Sequence, residues 1–287
     1  MGILLAFLAL FSWGLGDFLI QRSARKFGDW VALFYITAFA SIILFPFIYH
    51  DLIRFVLQNK SLFILLAAGL ITLFAALLDF EALRIGKISV IEPVYAFEVP
   101  VTVLLAMLFI NEYLNLIQAI LVFGIMFGIF LVGTRSFHHF KNIHLEKGVW
   151  YALFATIGMG AVNFLFGLGA RQVSPLMINW FTSFFIALVS LFYLASKSRL
   201  NEIYSDWKGH KRLILGVSIV DNMAWVAFAY STLYIPIAVT TAVSESYIAL
   251  AATLGFIFNH EKLKKHQWVG LLLVLAAIII LSSITDA

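Results

Sequence analysis

Apolar residues run along this chain in stretches of about 20, separated by short clusters of polar and basic residues, the length that a bilayer core of roughly 30 Å demands of a helix. Lipid tolerates only helices and closed barrels as spanning structures, and these stretches have helix length. Ten fit, at roughly 2–21, 30–49, 61–83, 88–110, 115–134, 147–170, 175–195, 212–233, 236–258 and 267–284. The expected fold is an all-α membrane protein of ten transmembrane helices with no soluble domain. The longest connections, around 135–146 and 196–211, read as polar, basic loops. The first stretch, "MGILLAFLALFSWGLGDF", has no basic segment ahead of it and reads as a retained helix rather than a cleaved signal.

Composition narrows the function. Hydrophobic residues make up 63% of the 287 residues, charged residues 12%, and mean hydropathy is +1.00, which excludes a water-soluble domain. The net charge of +4 lies in the connections, so it speaks of topology and of the lipid bilayer rather than of a nucleic acid. Cysteine is absent, which excludes disulfides, thiolate metal sites and cysteine nucleophiles. No GxxxxGK[ST] segment occurs, so the chain has no motif for driving transport with ATP, and no cofactor is expected. All of the 19 Lys and Arg residues except Arg54, Lys60 and Arg171 fall in the odd-numbered connections. Positive charge stays cytoplasmic, so the odd connections are expected inside and both termini outside, in the cell inner (plasma) membrane.

The chain also matches itself. At an offset of 146, "DFLIQRSARKFGDWVALFYIT" lies over "NFLFGLGARQVSPLMINWFTS", which sets Asp17 on Asn163 and Arg25 on Arg171. At an offset of 149, Glu112 falls on Glu261 and Gln118 on Gln267. The expected division is a five-helix repeat over 1–134, a connection over 135–145 and a second five-helix repeat over 146–287. Five spans per half force opposite orientations, the inverted repeat of many secondary transporters, around a central cavity.

Two segments carry a family likeness: "FEALRIGKISVIEPVYAFEVPVTVLLAMLFINEYLNLIQAILVFGIMFGIFLV" and "AFAYSTLYIPIAVTTAVSESYIALAATLGFIFNHEKLKKHQWVGLLLVLAAIII". Each has a small and aromatic run closing its third span, a polar position in the next span and a Glu in the tight turn before the last. In these features the chain resembles the EamA-like branch of the drug/metabolite transporter superfamily. The resemblance implies a ten-helix carrier, with export as its direction and a cavity lined mainly by spans 1, 3, 4, 6, 8 and 9. Many relatives have cytoplasmic termini, whereas the charge distribution here argues the reverse.

The candidate chemistry lies in acids set within apolar spans. An intramembrane carboxylate costs about 2.5–3.5 kcal/mol on insertion scales, so it normally faces a cavity or a partner. Glu92, Tyr95 and Glu98 form one stripe along span 4, beside Pro93 and Pro100, which are expected to bend the helix. Span 9 offers Thr241, Ser244, Glu245 and Tyr247; span 8, Asp221, Trp225 and Phe228; span 3, Thr72 and Asp79; span 1, Trp13 and Asp17; span 6, Asn163. By the repeat, Thr241 mirrors Glu92, Tyr247 mirrors Glu98, Glu245 lies over Ala96, Asp221 mirrors Thr72 and Phe228 mirrors Asp79. Acids among aromatic faces suit an organic cation, and the same acids suit a proton relay. Bland readings stand beside these: Glu92 and Glu98 could pair with Arg84 or Lys87, Asp79 and Glu81 with Arg84, and Asp17 with Arg22 or Arg25. Gly124, Gly128 and Gly133 read as close helix contacts, and Glu112 and Glu261 as partners of backbone or bases in their turns. His138, His139 and His144, without carboxylate or thiol partners, read as a solvated loop rather than a metal site.

The reading is therefore a secondary transporter of a small metabolite or drug-like solute by alternating access, with a cationic or amino-acid-like substrate and proton coupling as the chemistry the acids suit. A monomer is compatible with it. A passive channel is one alternative. Another is an intramembrane aspartyl protease, because "GLGD" at Gly14 to Asp17 has that family's GxGD form, although no Tyr-Asp pair precedes it on an earlier span.

Overall fold

A computed structural model of the protein describes residues 1–58, 62–86, 91, 94–134, 148–250 and 264–285, with backbone alone for 54–58. These residues form α1 (Gly2–Phe27), α2 (Asp29–Gln58), α3 (Leu62–Ile85), α4 (Glu98–Ile110), α5 (Leu116–Gly133), α6 (Val149–Gln172), α7 (Pro175–Ser196), α8 (Leu200–Ser231), α9 (Ile237–Ser244) and α10 (Lys265–Thr285). Eight are long and apolar enough to cross a membrane, and α4 and the stretch Ile237–Leu250 are shorter apolar helices. The faces they turn outward are apolar too. On α1, Leu4, Leu8, Phe11, Leu15 and Phe18 follow helical spacing and are between 40% and 67% exposed. Such a face is stable against lipid and not against water, so the chain is an integral membrane protein.

Contacts at the helix ends give each helix its direction. At one end Arg25 donates to the carbonyls of Arg84 (3.3 Å) and Gly86 (3.0 Å), Trp30 stacks on Tyr193 at 3.9 Å, and His266 meets the Thr134 carbonyl at 2.7 Å. At the other, Arg171 donates to the carbonyls of Thr232 (2.8 Å) and Ile235 (3.1 Å), Ser231 to that of Gly2 (2.8 Å), and Ser174 to Asp51 (2.6 Å). We refer to these as the Arg25 end and the Arg171 end. The described residues of the odd connections all lie at the Arg25 end. α1 runs toward it, and α6 runs away from it.

Packing follows the repeat. α1 lies on α8 as α6 lies on α3, and α1 lies on α9 as α6 lies on α4; α2 pairs with α7, and α5 with α10. Among the described residues, renumbering each helix by five returns every neighbouring pair except those of α9 with α5, α6 and α8. The arginines obey the same rule, since the carbonyls of Gly86 and Ile235 are themselves 149 residues apart. So do the turns before α5 and α10, where the amides of Asn115 and Lys264 donate to the side chains of Gln118 and Gln267.

Two expectations are corrected. The segment 196–211 is not a loop: Leu200 to His210 is helical, and α8 bends at His210 (φ −138°). Arg199 pairs with Glu202 across its first turn (2.7 Å), the Tyr35 hydroxyl donates to the Ile203 carbonyl, and Leu200, Ile203, Tyr204 and Trp207 make one apolar stripe. Spans 4 and 9 are not continuous helices, as set out below. The connection over 135–145 and most of 88–93 lie outside the described residues.

Small residues set the α5–α10 contact. A Cβ on Gly128 would stand 2.5 Å from Val274 Cγ2 and 2.9 Å from the Gly270 carbonyl oxygen, whereas one on Gly124 would meet nothing nearer than Leu273 Cδ1 at 3.8 Å. Gly128→Ala is therefore expected to lower thermal stability in detergent by roughly 1–3 kcal/mol, with Gly124→Ala close to neutral. Equal unfolding temperatures for the two variants would contradict this packing.

Candidate functional site

The site begins with two breaks in the backbone. Before α4 the chain is helical at Val94 and Tyr95, turns at Ala96 and Phe97, and resumes helix at Glu98; after α9 it turns at Glu245 and Ser246 and is helical again from Tyr247 to Leu250. The two turns are repeat mates. In each, an amide reaches back three residues rather than four: Phe97 to the Val94 carbonyl (3.1 Å) and Ser246 to the Val243 carbonyl (3.2 Å).

Different side chains produce these matching breaks. Pro100 stands in the first turn of α4, where a missing amide donor costs nothing, so it starts the new segment rather than kinking an old one. The second half has no proline there. Instead the hydroxyls of Thr241, Ser244 and Ser246 donate to the carbonyls of Ile237 (2.9 Å), Thr241 (3.2 Å) and Ala242 (2.8 Å), local bonds that bend a helix. Each break delivers a carboxyl to the interior. Glu98 and Glu245 are both buried, and the amide of Asn163, on α6, donates to each at 3.4 Å. α6 can come this close because Gly160 has no side chain: a Cβ there would lie 2.6 Å from Val101 Cβ and 2.9 Å from the Glu98 carbonyl oxygen. Thr102 Oγ1 donates to the Gly160 carbonyl at 2.9 Å.

These groups line a cavity of about 100 Å³, room for several waters. Of the residues that the sequence marked, Trp13, Asp17, Asp79, Tyr95, Glu98, Asn163, Asp221, Trp225, Glu245 and Tyr247 all line it. Ser244 does not; its hydroxyl is spent on the Thr241 carbonyl. Glu92 and the three loop histidines lie outside the described residues. The ion pairs weighed for Asp17 and Asp79 are not made by described residues: Arg84 is held by Glu81 and, at 3.3 Å, by Asp29, while Arg25 serves backbone carbonyls. Glu112 does take the partners expected of it, Arg171 at 2.6 Å and the Ala238 amide at 3.3 Å.

Five carboxyl groups thus border one cavity, and none of its described lining residues is basic. Part of its wall is aromatic. Trp13 meets Trp225 at 5.0 Å and Phe228 at 5.6 Å, and Trp225 meets Phe166 at 4.6 Å. The hydroxyls of Thr72 and Thr182 are buried without a hydrogen-bond partner among the described residues. Such groups are suited to water or to a solute's polar atoms.

Sequence reasoning missed the contribution of spans 2 and 7. Leu33, Ile36 and Thr37 come from α2, and Asn179, Thr182, Ser183 and Ile186 from α7. The signal was present, since Asn179, Thr182 and Ser183 form one polar stripe in an otherwise apolar helix. Asn222, beside Asp221, also lines the cavity. No group of three or more metal-binding side chains occurs among the described residues.

Because one amide serves both glutamates, Asn163→Ala is expected to lower stability by roughly 1–3 kcal/mol, with part of the loss recovered when Glu98→Gln supplies an amide in its place. Strict additivity of the two substitutions in thermal unfolding would deny the bridge.

Comparison with known proteins agrees with this architecture. The profile of the EamA-like transporter family matches residues 1–134 and 146–283. No curated protein sequence matches the chain. A solved structure described only as a crystal structure of a protein is similar over 99% of this chain and 97% of its own, with a TM-score of 0.70 and 14% identity, a likeness of fold alone.

Proposed function

The chain belongs to the EamA-like transporter family, and on that premise we propose that it is a secondary transporter carrying a small cationic or amino-acid-like solute through the acid-lined cavity by alternating access. The observation that carries this reading is the lining itself: five carboxyls, no base among the described residues, and aromatic rings on one side. A cavity of that composition draws positive charge from outside, as a cationic solute or as protons. Aromatic faces add cation–π attraction of about 0.5–2 kcal/mol to such a solute. Glu98 and Glu245, set at the two breaks and bridged by Asn163, are the groups we assign to binding and coupling.

Alternating access is favoured by the architecture. Matching breaks in corresponding helices, opposite directions of α1 and α6, and principal helix pairs preserved on renumbering by five are what two inverted five-helix repeats require. A passive channel has no need of them. The protease reading of Gly14 to Asp17 loses ground because the family is one of transporters. Export, the inner membrane and outward-facing termini complete the proposal, the last from the basic residues gathered at the Arg25 end.

Proteoliposomes presented with a panel of organic cations and amino acids, with and without an imposed pH gradient, test it. We expect gradient-driven accumulation of a cationic or zwitterionic solute. If Glu98 or Glu245 carries the coupling proton, its change to Gln abolishes accumulation while exchange across the membrane persists; if it only binds the cation, affinity falls instead. Unaltered accumulation and affinity in both variants would remove the two glutamates from the mechanism, and flux only down the solute's own gradient would identify a channel. A reporter fused after Ala287 is expected to be active outside the cytoplasm, and cytoplasmic activity would reverse the assigned orientation.

A further inference from the structure

The aromatic cluster lies to one side of the acids. On α1, Trp13 is one turn from Asp17; on α6, Phe166 is one turn from Asn163; on α8, Trp225 is one turn from Asp221. Each helix's direction puts the aromatic residue on the Arg171 side. Phe228 completes the cluster at 5.6 Å from Trp13 and 6.1 Å from Trp225, and is fully buried. Trp13 and Phe166 are buried as well and Trp225 is half-buried, while Asp17 and Asp79, nearer the Arg25 end, are half-buried beside buried Ile20 and Leu33. The Arg171 side of the cavity is therefore the side that rings occupy.

The repeat assigns each ring a counterpart on the Arg25 side. Trp13 corresponds to Met159, Phe166 to Ile20, Trp225 to Ala76 and Phe228 to Asp79, and all four counterparts line the cavity. Exchanging the conformations of the two halves would close the Arg25 side with these residues and would carry Asp79 into the kind of place that Phe228 now fills. That place excludes water and, among the described residues, offers an aspartate no cation: the titratable groups facing the cavity with Asp79 are Asp17 on α1, Tyr95 just before α4, Glu98 on α4, Asp221 on α8, and Glu245 and Tyr247 just after α9, while Arg84, further along α3, is already held by Glu81 and Asp29. Neither α6 nor α7 brings a charged residue to the lining.

We propose that Asp79 is the coupling residue of the cavity's Arg25 side: that side closes only when a proton, taken from the solution at that end, neutralises the Asp79 carboxylate. The proposal rests on the alternating-access reading. It makes the two closures chemically unlike, one sealed by rings at any pH and the other licensed by a proton.

The absence of cysteine makes the test direct, because a single introduced thiol is the only one in the chain. Leu33 and Asn179 are repeat mates that line the cavity near opposite ends. In purified protein carrying Leu33→Cys or Asn179→Cys, the rate of modification by a membrane-impermeant thiol reagent is measured at alkaline and acidic pH, each divided by the rate on the unfolded protein at the same pH. We expect acidification to slow labelling of Leu33→Cys by roughly tenfold and to speed that of Asn179→Cys. With Asp79→Asn, the Leu33→Cys site is slow at both pH values; with Asp79→Glu, the pH response returns. A pH response that survives Asp79→Asn unchanged, or no pH response in the unaltered background, overturns the proposal while leaving alternating access standing, provided that the two sites still respond in opposite directions to a transported solute. Fast labelling at both sites under every condition overturns alternating access itself.

Discussion

Lipid offers a broken helix no hydrogen-bond partner, so a transmembrane helix can be interrupted only where protein or a water-filled cavity takes over its backbone groups. The two interruptions, at Ala96–Phe97 and Glu245–Ser246, meet that constraint with short i−3 bonds and with neighbours that approach closely enough to exclude lipid. Gly160 lets α6 touch the α4 break, and Thr102 ties the two helices together. The location of the carboxyls follows from this arrangement. Glu98 opens the helix after the first break and Glu245 lies within the second, so backbone irregularity and buried carboxyls share one set of supports.

The two halves of the chain agree where the backbone is concerned and diverge where side chains meet the cavity. Arg25 and Arg171 serve equivalent carbonyls, and Gln118 and Gln267 accept from equivalent amides. At the cavity, Asp17 has Asn163 as its counterpart and Thr72 has Asp221, while the counterpart of Asp79 is Phe228, packed against Trp13 and Trp225. A duplicated frame thus holds an unduplicated site. Even the breaks are made differently, by a proline in the first half and by hydroxyls in the second.

Much of this was legible in the sequence, for physical reasons that can be named. The bilayer fixes how long an apolar run must be, which is why the spans could be placed. An acid in such a run has few tolerable environments, which is why Asp17, Asp79, Glu98, Asp221 and Glu245 stand out in the sequence. Three features were not legible. The α9 break uses Ser and Thr, which ordinary helices also contain, so no residue announces it as Pro100 announces the first. The helix from Leu200 to His210 depends on Tyr35 and on the Arg199–Glu202 pair, the first of them distant in sequence. Asn179, Thr182 and Ser183 are uncharged, and their stripe acquires meaning only once α7 is known to face the same cavity.

The arginines also divide the molecule mechanically. Arg25 braces α1 to the end of α3, both in the first half, and Arg171 braces α6 to the end of α8, both in the second. Motion of one half past the other leaves both braces intact. Glu112 is different: it belongs to the first half, yet it grips Arg171 and the start of α9. Among the described residues this is the one ion pair between the halves, and Arg171 is 31% exposed. A partly wetted pair is weakened by dissolved ions. The electrolyte bathing the Arg171 face would therefore act as a dial on how firmly that mouth stays shut, independent of whatever the cavity holds.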